Sequence, residues 1–539
     1  MKKIKARTLA GFMELPPEKQ IVFNRMKDKI AKVFELNGLS PMDTPILEYS
    51  DVLLAKAGGE TEKQIYRFKK GDADICMRFD LTVPFAKYIA IFQNNLTFPF
   101  RRYQVGKSFR GERTQKGRFR EFYQCDMDII DECNYSNLIA ISNDMTQRNN
   151  NSEKNKQNSD TAQKDISLND ENVDKNRNLN NKNSENQNVD NNNIPLKNDN
   201  YNNNRAVPNE DNKTILNCED SSRSEKNNKG SLLTFLHSDA ECIDVLSQIY
   251  SALEQSVIIK VSNRKILSGV LDFYGLNEKK TEIFTLLDKK NKINETDFLS
   301  QLNTLTIYAS EILKILNCGC VSDLCNIEIQ NEIFKQGVLE IRQLFEILKM
   351  RKLQNEIIFD ISIIRGLDYY TGTVFETFLQ NLPEKISVGG GGRYDNLSDC
   401  FTHRKFSGVG MSVGLTRLFD LLDKNNLLSF TETTTTHVAI VPLTNSQKNI
   451  SIENETLNKE IISHCIELSA FLIENKISTE VLYFDKPFKN KLNYANKKQI
   501  PYIIVVGENE FISQKYSLKN MTTGESVFCN KLELIETLS

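Results

Sequence analysis

The residues best suited to chemistry lie between Arg101 and Ile130, RRYQVGKSFRGERTQKGRFREFYQCDMDII. From Arg101 to Arg120 the basic residues Arg101, Arg102, Lys107, Arg110, Arg113, Lys116, Arg118 and Arg120 face a single acid, Glu112, on a chain whose formal net charge is only -2. Arginine outnumbers lysine here, and a planar, forked guanidinium holds phosphate oxygens better than it serves general solvation. A polyphosphate or a nucleic-acid backbone is the implied partner, and a solvated basic face is the plain alternative. Around the loop from Gly111 to Arg118, Tyr103, Val105 and Phe109 alternate with Gln104, Gly106, Ser108 and Arg110; Tyr123, Cys125, Met127 and Ile129 then alternate with Phe122, Gln124, Asp126 and Asp128. Period two predicts an antiparallel hairpin with one polar face. That face carries Arg110, Gln124 and Asp128, so cation, amide and carboxylate converge as in a pocket.

The elements that must position this hairpin come from the rest of the chain. Pro16 and Pro17 open a helix in which Ile21, Val22, Met26, Ile30, Val33 and Phe34 recur at helical spacing, and Gly38 ends it. LSPMDTPILEYS then reads as a strand, and ICMRFDLTVPF as another whose polar face holds Asp80 and Thr82. Residues 143–230 are rich in Asn, keep no helix or strand period, and read as a disordered insert in a surface loop. Order returns with the helix SDAECIDVLSQIYSALEQ and the strand VIIKV, and 266–350 reads as helical and amphipathic. A second chemical centre, FDISIIRGLDYYTGTVFE, sets Arg365, Tyr369 and Tyr370 between two apolar runs. There the arginine either serves chemistry or pairs with Asp368 at a packed corner. VGGGGRYDNL and FSGVGMSVGLTRLFDLL follow, with a glycine run that permits close backbone approach and Arg417 on a helix. TETTTT links to an α/β unit at 437–539, where Lys486, Lys489, Lys491, Lys497 and Lys498 surround Tyr494.

Composition excludes several classes. A chain of 539 residues supports two to four domains. No apolar run is long enough to span a bilayer, and MKKIKARTLAGFMEL lacks the apolar core of a secretory signal, so no membrane association is expected. The 11 cysteines include no Cys-x-x-Cys pair and suit reduced thiols in a cytoplasmic protein. Cys318, Cys320 and Cys325 are the closest grouping, but the four histidines are scattered, so no metal site is expected.

FRGERTQKGRFREFYQCDMD closely resembles motif 2 of class II aminoacyl-tRNA synthetases in the form found in the histidyl-tRNA synthetase family. The helix and strand after Pro16 resemble motif 1, RGLDYY and VGGGGRYDNL resemble the two histidine signatures, and GLTRLF resembles motif 3, with Thr416 where Glu is usual. The resemblance implies an α+β fold: a class II antiparallel sheet flanked by helices in three parts (1–142, 231–265 and 351–430), an inserted helical module at 266–350 and an anticodon-binding domain at 437–539. It further implies activation of L-histidine with ATP and Mg2+, transfer to tRNA(His), and a homodimer. Arg110 and Arg365 would be catalytic, at the α-phosphate, and Glu112, Arg118, Phe122 and Arg417 would complete the ATP site. Asp80, Leu81, Thr82, Gln124, Asp128, Tyr369, Tyr370 and Tyr394 would hold histidine. Arg113, Lys116, Lys489 and Lys491 would touch tRNA. The rival reading is a catalytically silent, histidine-sensing regulatory relative.

Overall fold

The computed structural model describes residues 3–55, 62–113, 117–132, 229–287, 290, 293–364, 369–382, 386–395, 397–444, 452–484 and 486–538. The Asn-rich stretch from 143 to 228 lies outside them, as do Arg365 and Lys116. The strands of the first part are β1 (Ser40–Pro41), β2 (Leu47–Tyr49), β3 (Arg67–Lys70), β4 (Ala73–Met77), β5 (Phe100–Phe109), β6 (Glu121–Glu132), β7 (Val257–Asn263), β8 (Glu356–Phe359), β9 (Thr373–Leu379), β10 (Ser387–Tyr394) and β11 (Phe406–Gly414). Eight form one sheet in the order β1-β5-β6-β11-β10-β9-β7-β8, and β2-β4-β3 form a small second sheet. The central pairings from β5 through β9 to β7 are antiparallel, while β1 with β5 and β7 with β8 are parallel.

Alternation along β6 sorts the two faces of this sheet. Cys125, Met127 and Ile129 enter the main core beside Phe23, Ile30 and Phe34 of the helix Pro17–Leu36 and Leu246 and Ile249 of the helix Lys229–Ala252. The helix Leu415–Lys424 adds Leu418, Phe419 and Leu422, and Phe23 meets the rings of Tyr123 and Phe419 edge-on at 5.4 and 5.3 Å. With one face closed by three helices, Gln124, Asp126 and Asp128 are committed to the other.

Two sequence expectations need correction. The segment expected as one strand from Leu39 to Ser50 is broken into β1 and β2 and runs directly into the helix Ser50–Leu54. Pro41 and Pro45 have no N–H to give a ladder, so a continuous strand cannot form there. The strand expected through Asp80 and Thr82 ends at Met77, in the small sheet, and a helix starts at Thr82. Pro84 fits the first turn of that helix, and Asp80, one residue before the N-cap Leu81, accepts the Val83 N–H through Oδ1 at 3.1 Å.

The helical module contains Arg264–Phe273, Lys280–Leu287, Glu295–Leu305, Ala309–Leu316, Val321–Cys325 and Glu332–Met350. Its first and last helices cross closely: a Cβ on Gly269 would lie 2.3 Å from the Phe334 nitrogen. Beside this crossing Glu340 accepts from Asn263 at 2.8 Å and from Lys265 at 2.6 Å.

The C-terminal part has its own five-stranded sheet: β12 (Val438–Pro442), β13 (Thr479–Val481), β14 (Tyr502–Val506), β15 (Tyr516–Asn520) and β16 (Ser526–Cys529), in the order β13-β12-β14-β15-β16. β12 lies parallel to β13 and β14, while β15 and β16 are antiparallel additions. Val438 and Ile440 face one core and Ala439 and Val441 another, which is why this strand shows no polar alternation.

Candidate active site

The polar face of β6 is the floor of a cavity of about 800 Å³. Across it, Gln124, Asp126 and Asp128 pair with Gly106, Gln104 and Arg102 of β5 and with Gly414, Ser412 and Gly410 of β11. The glycine beside Asp128 is required by space: a Cβ on Gly410 would stand 2.1 Å from Asp128 Oδ1. Of the expected site residues, Asp80, Thr82, Arg110, Glu112, Arg118, Phe122, Gln124, Asp128, Tyr369, Tyr370, Tyr394 and Arg417 line this one cavity. They come from both strands of the hairpin, the helix after Met77, the segment before β9, β10 and the helix after β11.

One end of the cavity floor is acidic and buried. Asp128 forms a buried ion pair with Arg102 at 2.5 Å, and its Oδ1 accepts the Tyr394 hydroxyl at 2.6 Å. Burial raises its carboxyl above the ordinary range, and Arg102 and Tyr394 oppose that rise. Asp80 is pushed up to about 6 by burial, against the Val83 N–H and the Arg110 charge, and its Oδ2 has no hydrogen-bond partner. Asp126 is pushed up to about 7 by burial against the pull of Arg102. Three carboxyls held above their usual range in one cavity form a receptor for a cation or a hydrogen-bond donor. Tyr369 stacks obliquely on Tyr370 with centroids 4.7 Å apart and meets Tyr394 edge-on at 6.1 Å, giving this end an aromatic wall.

Arginines line the rest of the cavity. Arg110 follows β5, donates through Nε to the Phe79 carbonyl at 3.0 Å, and lies 5.2 Å over the Phe122 ring. Arg118 pairs with Glu112 at 3.0 Å. Arg417 donates to the Gly117 and Ser387 carbonyls, each at 2.8 Å. Thr416, where the resemblance has Glu, accepts the Tyr123 N–H at 2.8 Å and ties the helix carrying Arg417 to the floor.

Other expected residues are not brought to the cavity. The Leu81 side chain is fully buried in the core and does not line it, because the turn from β4 into the helix at Thr82 points it away from the opening. Arg113 is exposed on the loop outside the cavity lining. In the C-terminal part Lys489 is exposed, but the expectation that Lys491 lies on the same surface is corrected: it is buried at 5 % exposure and donates to the Pro442 carbonyl at 3.3 Å. On the helix Phe488–Lys497 it shares an inward face with Leu492 and Ala495. Residues without a role in the sequence reading also bear on the site: Arg102 pairs with Asp128 behind its floor, Gln104 accepts from Arg102, and Asp126 and Ser412 line the cavity. Arg102, Gln104 and Asp126 lie on the same alternating faces, so counting in steps of two from Arg110 and Gln124 finds them. No group of His, Cys, Asp or Glu able to hold a metal ion occurs among the described residues, Cys318, Cys320 and Cys325 included.

The family model for histidyl-tRNA synthetase matches residues 11–147 and 234–418, and that for the anticodon binding domain matches 437–539. The histidine–tRNA ligase of Clostridium tetani is 34% identical over 100% of this chain and 99% of its own length, and that of Clostridium acetobutylicum is 35% identical over 99% of each. The crystal structure of histidyl-tRNA synthetase from Nostoc sp. PCC 7120 superposes with a TM-score of 0.68 at 25% identity, covering 99% of both chains. A Bacillus halodurans structure titled as an ATP phosphoribosyltransferase regulatory subunit/histidyl-tRNA synthetase shares the fold at TM-score 0.61 and 16% identity, over 94% of this chain and 99% of that one. An antiparallel sheet that brings arginines and buried acids into one cavity, followed by an anticodon-binding unit, defines a class II aminoacyl-tRNA synthetase. Matched over most of its length, the chain belongs to the histidyl-tRNA synthetase family.

Proposed function

We propose that this chain is a histidine–tRNA ligase, and the observation that carries the reading is the gathering of buried carboxyls, tyrosines and arginines in one cavity. The histidine carboxylate attacks the α-phosphorus of ATP, the bond to the bridging oxygen breaks, and pyrophosphate leaves with its electrons. The terminal ribose hydroxyl of tRNA(His) then attacks the carbonyl carbon of the adenylate and AMP departs. Negative charge grows on phosphate oxygens in the first step, so preplaced guanidinium groups supply most of what the protein adds. Arg110 is assigned to the α-phosphate, and Arg118 and Arg417 to the β- and γ-phosphates, with Phe122 against adenine. Arg365, matched to the family signature, takes the second α-phosphate position. Glu112 holds Arg118 in place.

At the acidic end Asp80 and Thr82 receive the α-ammonium, Gln124 orients it, and Asp128 with Tyr394 and Tyr370 recognises the imidazole. In this structure Asp128 Oδ1 accepts the Tyr394 hydroxyl, while Arg102 pairs with its other oxygen. A buried site built around its substrate's polar groups rejects analogues lacking them by roughly ten-thousandfold or more, because its own groups are then left unpaired. Magnesium is expected to arrive with the ATP, without a dedicated cage of protein ligands, and would neutralise phosphate charge. Arg113, Lys116 and Lys489 are assigned to tRNA, and 437–539 to the anticodon. A homodimer in the cytoplasm completes the reading; no helix among the described residues is long and apolar enough to cross a membrane. Retention of the anticodon-binding unit and of the cavity arginines favours a ligase over a silent histidine-sensing subunit. Charging of a tRNA(His) transcript with labelled histidine tests it: accumulation of histidyl-tRNA is expected, and its absence with ATP and magnesium in excess would overturn the assignment.

A further inference from the structure

We propose that Asp395 is a positioning residue for the aromatic wall of the cavity: through the Thr371 hydroxyl it holds the segment that carries Tyr369 and Tyr370, and so sets the affinity for the imidazole ring. The inference rests on the histidine reading above and assigns roles to two residues outside it. Neither Asp395 nor Thr371 lines the cavity. Tyr394 ends β10 and gives its hydroxyl to Asp128, whereas Asp395, the next residue, accepts two hydroxyls: Thr371 Oγ1 donates to its Oδ2 and Ser407 Oγ to its Oδ1, each at 2.5 Å. A carboxylate has an oxygen for each, and such hydroxyl-to-carboxylate bonds are roughly twice as strong as those between neutral groups. The Ser407 oxygen in turn accepts from Arg393 Nη1 at 2.6 Å, and Arg393 is held by Asp239 of the helix Lys229–Ala252 at 2.5 Å and by the Phe235 carbonyl at 2.9 Å. The carboxylate is thus tied to β11, and through Arg393 to a helix, before it grips Thr371.

Thr371 follows Tyr370 directly and is fixed at two points, its hydroxyl on Asp395 and its N–H on the Arg393 carbonyl at 2.9 Å. The rings lie close against the strands. A Cβ on Gly392 would stand 2.8 Å from Tyr370 Cδ1, and one on Gly408 would stand 2.4 Å from Tyr394 Cε2, so bare glycine backbone is the seat of both rings. Tyr369 bridges them, with its centroid 4.7 Å from that of Tyr370 and 6.1 Å from that of Tyr394. Surfaces packed this closely lose contact on a small displacement. Without the Asp395 carboxylate the Thr371 hydroxyl is left with the Arg393 carbonyl at 3.4 Å, one of the two anchors is lost, and the wall can move off the bound ring.

Pyrophosphate exchange gives separate KM values for histidine and for ATP. Thr371→Val keeps the shape of the side chain and removes its hydroxyl. That variant and Asp395→Ala are each expected to raise KM for histidine about tenfold, the scale of one hydrogen bond to a charged group, with KM for ATP unchanged. Thr371→Ser, which restores a hydroxyl, should keep the wild-type value, and Thr371→Val combined with Asp395→Ala should add nothing to either alone, because the same bond is lost in all three. Ser407→Ala removes the other hydroxyl from the same carboxylate and leaves the Thr371 bond in place, so it should lower Tm without raising KM for histidine. Equal rises in KM for histidine and ATP would mean a general loosening of the cavity, and a Ser407→Ala effect as large as that of Thr371→Val would mean that the network acts only as packing; either overturns the proposal, as does an unchanged KM for histidine in Thr371→Val. Should Asp395→Ala fail to fold, Thr371→Val beside Thr371→Ser decides. A wild-type protein without histidine-dependent exchange would instead overturn the histidine reading beneath it.

Discussion

The three buried carboxyls, Asp80, Asp126 and Asp128, show how burial holds a carboxyl above its ordinary range. Asp80 and Asp126 sit at about 6 and about 7, with burial the leading cause in each, against about 3.9 for an exposed aspartate. Between those values the native state keeps protons that the unfolded chain has released, so the unliganded protein loses stability as pH rises through the two native values. Asp126→Asn removes one of the buried charges. Thermal unfolding of wild type and variant should be closest at about pH 4 and diverge as pH rises to about 7, with the variant the more stable; parallel curves would show that Asp126 does not titrate in this window. Arg365→Ala is expected to leave histidine affinity intact and to slow adenylate formation by at least about a hundredfold, the cost of removing one transition-state donor. Single-turnover adenylation beside equilibrium binding reads the two effects separately. Gly410→Ala sets a methyl group where Asp128 Oδ1 lies, and should cost about 1–3 kcal/mol of stability along with histidine binding; calorimetry and exchange measure each. Gln124 and Asp128 are legible in the sequence because residue type and period two both mark them, whereas Asp80 is marked only by the resemblance, since period two misplaces it on a strand. Asp126 carries the same mark, but its partner Ser412 lies on β11, far away in sequence, and only strand register joins the two.

Elements are legible where one face is wet or lines a cavity. The hairpin of β5 and β6 follows its alternation through the whole run from Phe100 to Glu132. The helix at Thr82 is hidden because ICMRFDLTVPF keeps period two past the point where the backbone turns, so an Asp that accepts from the first turn and a first-turn Pro pass for strand residues. β15, β16 and the helix Lys531–Leu538 leave no such trace, since YSLKN and SVFC are too short to show a period of their own. The helix Phe488–Lys497 shows how composition can mislead: its lysines divide between an exposed set, Lys489 and Lys497, and the buried Lys491. Lys489→Ala with Lys497→Ala is therefore the pair expected to raise KM for tRNA. For every phosphate that a removed lysine had neutralised, the dependence of tRNA binding on log salt should flatten by about one unit, with pyrophosphate exchange untouched. A salt slope equal to that of the wild type would make these lysines an ordinary solvated face.

At the scale of the whole molecule, the cavity is assembled from segments that the chain visits far apart: the turn at Asp80, the hairpin, the tyrosines after Ile364, β10 and β11, and the helix at Arg417. Between the hairpin and the helix Lys229–Ala252 comes the Asn-rich stretch, and the family model passes over 148–233 while matching on both sides. Closure entropy grows slowly with loop length, so replacing 148–228 by a short Gly/Ser linker should leave exchange within about twofold of wild type. A large drop would show that this stretch contributes to the catalytic unit. The central claim is that one cavity takes an imidazole amino acid by its acidic end and a nucleoside triphosphate by its arginines, and ATP–pyrophosphate exchange across a panel of amino acids measures that most directly. Exchange should depend on histidine and fall by roughly ten-thousandfold or more with amino acids that cannot pair with the buried acids. Exchange driven equally by other amino acids, or proceeding at full rate without any, would contradict the account.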